Sequence, residues 1–393
     1  MAVAIVKYEP GLDSMRRAIQ LCQGFAKLKP THKVFIKANM AWGLPGDTSP
    51  ARGFVISPEI VEGLVLLLRE YGCTDITVGE GSISCKELGV NTASAAAWAG
   101  VDRLAERMGF RFVDLNQGKY ESFDFDGIEI EISKTALEAE YFINLCLLRA
   151  HLATRLSAAL KNLKGTLSME SKKAFHRTGN LERFIALLAT KIRCDLVLVD
   201  ALWCQQQAPN SRRINEMGLL LAADDILECD IVGSHLLGLD PYEVEHLREY
   251  ARIQGRSLEL KDVEVRGEDI EAVKKPMPWY WDWPTDLTTR YQTRGLHIDH
   301  PGKGICSACY TTVLIGINSF LRDNRGSTFD DIQFCVGPEP RARPEPKRVI
   351  LMGKCAIEAN QGGREDAIKI KGCPPGGKRL RAAMDRYITK VSS

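Results

Sequence analysis

Residues 33–39 read KVFIKAN and residues 75–81 read DITVGEG, and between them lies SPEIVEGLVLLLREYG at 57–72. The outer runs are short and β-branched until polar residues end them, the pattern of strands covered on both faces. The inner stretch carries apolar residues at helical spacing over Pro58–Tyr71 and stops at Gly72, a helix-terminating signal. Strand, helix, strand is one β-α-β unit, and the chain repeats it. VAIVKY (3–8) and EYFINLCLL (140–148) are further strand candidates, with a helix over Met15–Lys27. Helices over Leu152–Lys161, Leu181–Ile192 and near Asp230–Leu237, with DLVLVDAL (195–202) and GLLLAAD (218–224), carry the alternation to about Asp262. The prediction is an α/β domain over 1–262, with a largely parallel Rossmann-like sheet and flanking helices.

The pattern lapses over 263–300, where PMPWYWDWP (276–284) reads as an irregular aromatic and proline-rich connector. Beyond it, RVILMG (348–353), DAIKIKG (366–372) and a helix over Lys378–Ile388 predict a smaller Cys-rich α+β subdomain at 301–393. A composition of 45% hydrophobic and 26% charged residues excludes a mainly disordered or collagen-like chain. Lys and Arg total 52 against 50 Asp and Glu, which argues against a dedicated nucleic-acid binder and makes any electrostatic function local. From Arg341 onward there are thirteen Lys/Arg and five Asp/Glu, but no interleaved aromatics for base stacking, so this reads as a solvated basic face. The N-terminal apolar run is too short for a secretory signal, and no run approaches the roughly 18 apolar residues of a membrane span. A cytoplasmic protein is the expectation.

In that setting, twelve cysteines point to metal or redox chemistry before disulfides. Cys306 and Cys309 form C-x-x-C in GKGICSACY (302–310), a spacing that lets one turn present two thiolates to one centre. Cys355 follows a strand in GKC, and Cys373 follows another in GCPPGG. Glycine beside a ligating cysteine admits close backbone approach, and Cys-Pro endings occur in iron–sulfur runs. Cys306, Cys309, Cys355 and Cys373 are therefore the candidate ligands of a [4Fe-4S] cluster, with Cys335 in FCVGPEP (334–340) as a substitute. Cys22, Cys73, Cys146, Cys194 and Cys229 read as small buried hydrophobes. A structural zinc site is the alternative, because His297 and His300 precede the C-x-x-C and would complete a His2Cys2 set. Gly372–Lys378 imitates a P-loop, yet Arg379 stands where Ser or Thr should hold magnesium, and Pro374 and Pro375 lack the amides that such a loop aims at phosphate.

A second constellation runs through residues 148–180, with Arg149, His151, Lys161, Asn162, Lys164, Lys172, Lys173, His176 and Arg177. Cations at a helix end are favourable in themselves. Converging from a helix end and the following loop, they would equally cradle a carboxylate or phosphate, with His151 or His176 placed for proton transfer. Lys37 and Asn39, Glu80, Asp200 and Asp225 end or follow predicted strands, where ligands bind in open α/β sheets. Asp225 also suits a helix N-terminus.

IKANM (36–40), SPEIVEGLVLLLREYGCTDITVGEGS (57–82), ALKNLKG (159–165) with downstream His176, LVLVDAL (196–202) and AADDILECDIVGSHLLGLDP (222–241) together resemble the DUF362 family. The terminal GKC and GCPP pieces resemble a cysteine-bearing C-terminal extension of some relatives that are linked with iron–sulfur binding. After Asp200 the chain departs from the family pattern, since QQQAPNSRR (205–213) keeps only Pro209 where glycines and a Gly-Pro are usual. The resemblance implies fold and cluster without a substrate. The leading expectation is electron transfer or redox chemistry on a small anionic substrate, with a redox partner protein and neither membrane nor nucleic acid. The alternatives are a zinc-bearing accessory module and a metal-independent acid–base enzyme using His151, Lys161 and Glu80.

Overall fold

The computed structural model describes residues 2–393 except 48–50, 178–180, 207, 209–212, 278–286, 302–304, 306, 389 and 392–393. The chain divides into two compact units, Met1–Ala174 with Glu182–Tyr280, and Phe175–Leu181 with Trp281–Ser393.

In the first unit the strands are β1 (Val3–Lys7), β2 (Val34–Ala38), β3 (Ile76–Glu80), β4 (Arg111–Asp114), a hairpin of β5 (Tyr120–Phe125) and β6 (Ile128–Ser133), β7 (Tyr141–Leu147), a hairpin of β8 (Arg149–His151) and β9 (Arg155–Ser157), β10 (Leu196–Gln205), β11 (Ile214–Ala223) and β12 (Val265–Gly267). Eight of them form one sheet in the order β12-β1-β11-β10-β7-β2-β3-β4. Every neighbouring pair is parallel except the two that involve β11. β2, β3 and β7 are buried along their whole length, which explains why their sequences show no polar alternation.

The helix Pro58–Glu70 begins behind Ser57 with proline in its first turn and buries Ile60, Val61, Leu64, Leu67 and Leu68. These pack with Val34, Ile36, Ile76 and Val78 in the core on one face of the sheet. Gly72 ends the turn after it at φ +105, and a Cβ there would press on Pro30.

The expected helix over Leu152–Lys161 is a correction: residues 149–157 form the β8–β9 hairpin, and only Ala159–Asn162 is helical. Arg155 at φ +57 makes the tight return that a helical reading of the apolar spacing misses. The expected connector at 263–300 is divided. β12 pairs with β1 and extends the first unit past Asp262, while Arg294–Ile298 is the opening strand of the second sheet.

That second sheet orders β13 (Arg294–Ile298), β14 (Thr328–Val336), β15 (Arg348–Met352) and β16 (Ile368–Ile370) side by side, all parallel. Helices Ser307–Asp323, Gly353–Ala359 and Gly377–Tyr387 follow β13, β15 and β16. Among the described residues no helix is long and apolar enough to cross a membrane.

Candidate functional site

In the large sheet the chain winds outward from β2 to β3 and β4 on one side, and from β7 to β10 on the other. The β2–β7 boundary is thus the switch point, and ligands of open α/β sheets bind at the carboxyl ends of strands there. Lys37 on β2 pairs in register with Asn144 on β7 and Gly79 on β3. Three polar side chains, Lys37, Asn144 and Glu80, therefore stand together at the end of an otherwise apolar layer.

Lys37 is fully buried and its Nζ lies 2.8 Å from Glu80 Oε1. Burial pulls the Lys37 amine down, and Glu80 pushes it back up. Glu80 is held by backbone donors as well: Met40 N donates to Oε2 and Gly81 N to Oε1, each at 2.8 Å. Asn162 Nδ2 donates to Asn144 Oδ1 at 2.7 Å, and its Oδ1 accepts from Asn39 Nδ2 at 2.7 Å and Lys37 Nζ at 3.4 Å. Asn39 Oδ1 in turn accepts from Arg149 Nη2 at 3.0 Å. The network leaves Asn162 no freedom to flip, because both ends of its amide are matched. Gly165 seals it, since a Cβ there would collide with Glu80 Oε1 and approach Lys37 Nζ to 2.6 Å.

Around this paired core stand further cations. Arg149 is buried, and burial pushes its guanidinium down to about 10. Lys161 is partly exposed; desolvation, then Lys164 and Arg149, hold its amine well below the usual lysine range. Lys172 donates to Asn116 Oδ1 at 2.7 Å, and burial brings its amine down to about 7. Lys164, partly exposed, adds to the lowering of both lysines. His151 Nδ1 accepts from Ala153 N at 3.1 Å and Thr154 N at 3.3 Å, so a neutral ring carries its proton on Nε2.

Of the predicted residues, then, Lys37, Asn39, Glu80, Arg149 and Asn162 meet in one connected cluster, with Lys161 and Lys164 electrostatically coupled to it. Two carboxylates are taken up elsewhere by backbone. Asp200, fully buried, accepts from Ser57 N at 2.8 Å and Leu202 N at 3.1 Å, and burial raises its pKa. Asp225 caps the helix Ile226–Leu236 by accepting from Glu228 N at 2.8 Å and pairs with Arg256 at 2.6 Å. His176 is partly exposed at the end of the helix Met169–Arg177, in the segment grouped with the second unit. The side chain of Arg177 lies outside the described residues.

Sequence reasoning passed over Asn144 and Gly165. Asn144 had a signal, as the one polar residue inside the buried run YFINLCL. Asp230 is also structural in effect: its carboxylate accepts from Ala159 N at 2.7 Å and Leu160 N at 2.9 Å, fixing the short helix that presents Lys161 and Asn162. Burial raises Asp230 to about 6.

In the second unit Cys306 lies outside the described residues, while Cys309 is buried in the first turn of the helix Ser307–Asp323. Cys355 stands in the first turn after β15, and Cys373 in the loop after β16. Lys354 N donates to Gly372 O at 2.9 Å, and Cys309 Sγ lies 3.7 Å from where a Cβ on Gly353 would stand. The three cysteine-bearing turns thus adjoin at the carboxyl ends of parallel strands. Gly353 and Gly372 are both at positive φ, and a Cβ on Gly372 would lie 2.6 Å from Pro375 Cα. Among the described residues no group of three or more His, Cys, Asp or Glu side chains is close enough to share a metal ion. Cys335 belongs to the core of this unit, packed with Val349, Leu351 and Ala356, and burial pushes its thiol up to about 12. His297 Nε2 is paired with Asp331 Oδ1 at 2.8 Å, and His300 is exposed.

A thylakoid-associated protein, sll1697, of Synechocystis sp. is 26% identical over 255 residues, covering 63% of this chain and 76% of that protein. Among solved structures, the lactate racemase apoprotein of Thermoanaerobacterium thermosaccharolyticum aligns at a TM-score of 0.37 and 17% identity, over 64% of this chain and 56% of that one. A protein from Thermotoga maritima aligns at 0.33 and 13% identity, over 53% and 54%. The chain therefore spans little more than half the length of either solved structure. Residues 34–235, just over half of the chain and the segment that builds the Lys37–Glu80 cluster, match the family described as Domain of unknown function (DUF362). The chain belongs to the DUF362 family.

Proposed function

We propose that the protein is an iron–sulfur protein active in electron transfer or redox chemistry on a small anionic substrate, whose negative group is held by the cationic cluster at the ends of β2, β3 and β7. The observation that carries the substrate class is the charge imbalance there. Arg149 and Lys172 both feel Glu80, which Lys37 already neutralises at 2.8 Å, while Lys161 faces the cations Lys164 and Arg149. Crowded, desolvated cations raise one another's free energy, and an anion among them relieves it through charge-assisted hydrogen bonds. Malonate, titrated calorimetrically at low salt, is the probe. Binding that weakens when Arg149 is changed to Gln supports the reading, and absence of heat at millimolar malonate refutes it.

The cofactor rests on the second unit. Cys306, Cys309, Cys355 and Cys373 would hold a [4Fe-4S] cluster; the turns that carry Cys309, Cys355 and Cys373 adjoin, and the C-x-x-C spacing puts Cys306 three residues before Cys309. When bound, such a cluster supplies one-electron transfer. The chain's part would be to fix the thiolates and to exclude water, and burial of such a site tunes the potential. Electrons would pass to or from a partner protein, in a reducing compartment such as the cytoplasm where thiols stay free. Iron and sulfide analysis after anaerobic purification tests this directly. Colourless, iron-free protein after anaerobic reconstitution refutes the cluster, and stoichiometric zinc replaces it with a structural site.

A further inference from the structure

Among the described residues, the one side-chain hydrogen bond of Lys161 is a long one. Its Nζ reaches Ser157 Oγ at 3.5 Å, its cationic neighbours are Lys164 and Arg149, and Glu182 acts on it only as a more distant carboxylate. Ser157 lies directly opposite Arg149 in the β8–β9 hairpin. Cross-strand partners put their side chains on the same face, so the Arg149 guanidinium and the Lys161 amine converge on one side of the hairpin. Arg149 is 6% exposed; its Nη1 donates to Phe54 O at 3.1 Å and its Nη2 to Asn39 Oδ1 at 3.0 Å, while Nε has no acceptor among the described residues. A buried N–H without an acceptor is costly, more so on a charged group, so this one marks a place for a ligand oxygen.

We propose that Lys161 is a nucleophile that condenses with the carbonyl carbon of a small oxo acid whose carboxylate is received by Arg149. This rests on the anion-binding reading of the same cluster and adds a covalent step to it. The Nζ lone pair forms the new C–N bond. The carbonyl oxygen leaves as water, taking both hydrogens of the neutral amine, and an imine remains; no oxidant or reductant takes part. A lysine desolvated beside other cations is the form of amine that attacks carbonyls at neutral pH, since ammonium has no lone pair to offer. The Ser157 hydroxyl is in reach to pass a proton toward the departing oxygen.

Glyoxylate, the smallest oxo acid, with cyanoborohydride to reduce any imine to a stable amine, tests the step on the full chain at pH 7 by peptide mapping. Lys161 is expected to be labelled at least about tenfold faster than exposed Lys29 and Lys86. Saturating malonate should abolish the preference, and R149Q should reduce it by about tenfold. K161R, which offers no amine to condense, should lose the label at this position. Uniform labelling, or preference for Lys172, overturns the proposal. If malonate still binds in that case, the anion site stands and only the nucleophile fails; if malonate does not bind either, both fall.

Discussion

Lys37 and Glu80 form an ion pair 2.8 Å long with both side chains buried, at the carboxyl ends of adjacent parallel strands and under the backbone of Gly165. Such a pair stabilises little by itself, because desolvation offsets most of the attraction, but breaking it strands a charge. Glu80→Gln leaves Lys37 uncompensated and should destabilise the first unit by about 3–5 kcal/mol in urea unfolding. Adding Lys37→Met removes the stranded ammonium and should recover at least half of the loss. A double variant no better than the single one would contradict the buried-charge account.

Gly165 is required by contact and not by backbone torsion, since its φ is not among the positive ones. Gly165→Ala should cost about 3 kcal/mol, as an overpacked buried site does, and should perturb Lys37 and Glu80 together. An unchanged unfolding midpoint would show that the loop can withdraw.

Lys172 titrates low in the folded state, at about 7, and near the ordinary lysine value when unfolded. Between those values the unfolded chain binds more protons, so stability rises with pH from about 7 to 10 and the penalty is fully present below 7. The slope contributed is at most about 1.4 kcal/mol per pH unit. Lys172→Met should flatten it, as read from denaturant midpoints across that range.

Asp200 serves the amide at the start of the helix Pro58–Glu70. Asp200→Ala should therefore cost about 1–3 kcal/mol by leaving Ser57 N unpaired, with malonate affinity unchanged. A large loss of affinity without a loss of stability would move Asp200 into the binding site.

Cys335 and Cys355 separate packing from ligation. Cys335→Ala should lower stability by about 1 kcal/mol and leave iron per chain unchanged, because it deletes one buried sulfur from the core around Val349 and Leu351. Cys355→Ser should lower iron content after anaerobic reconstitution. Equal iron in both variants would remove Cys355 from the ligand set.

The sequence by itself determined the α/β architecture, because buried parallel strands and amphipathic helices have separate periodicities that local composition displays. It also marked Lys37, Asn39, Glu80 and the 149–164 segment, since polar residues that end apolar runs fall at strand termini. It could not place the β8–β9 hairpin, where a positive φ at Arg155 reverses a run whose apolar spacing also fits a helix. Nor could it tell Asp200, spent on Ser57 N, from Glu80, which faces Lys37. Both are lone carboxylates that the sequence places at strand ends, although β10 runs on to Gln205 and leaves Asp200 inside it; only the packing of residues 143 positions apart in one case, and 43 in the other, decides which serves a backbone amide and which an ion pair. Tertiary structure alone set Asn144 beside Lys37 and Gly165 over both, because strand order and loop closure bring together groups that no local pattern links.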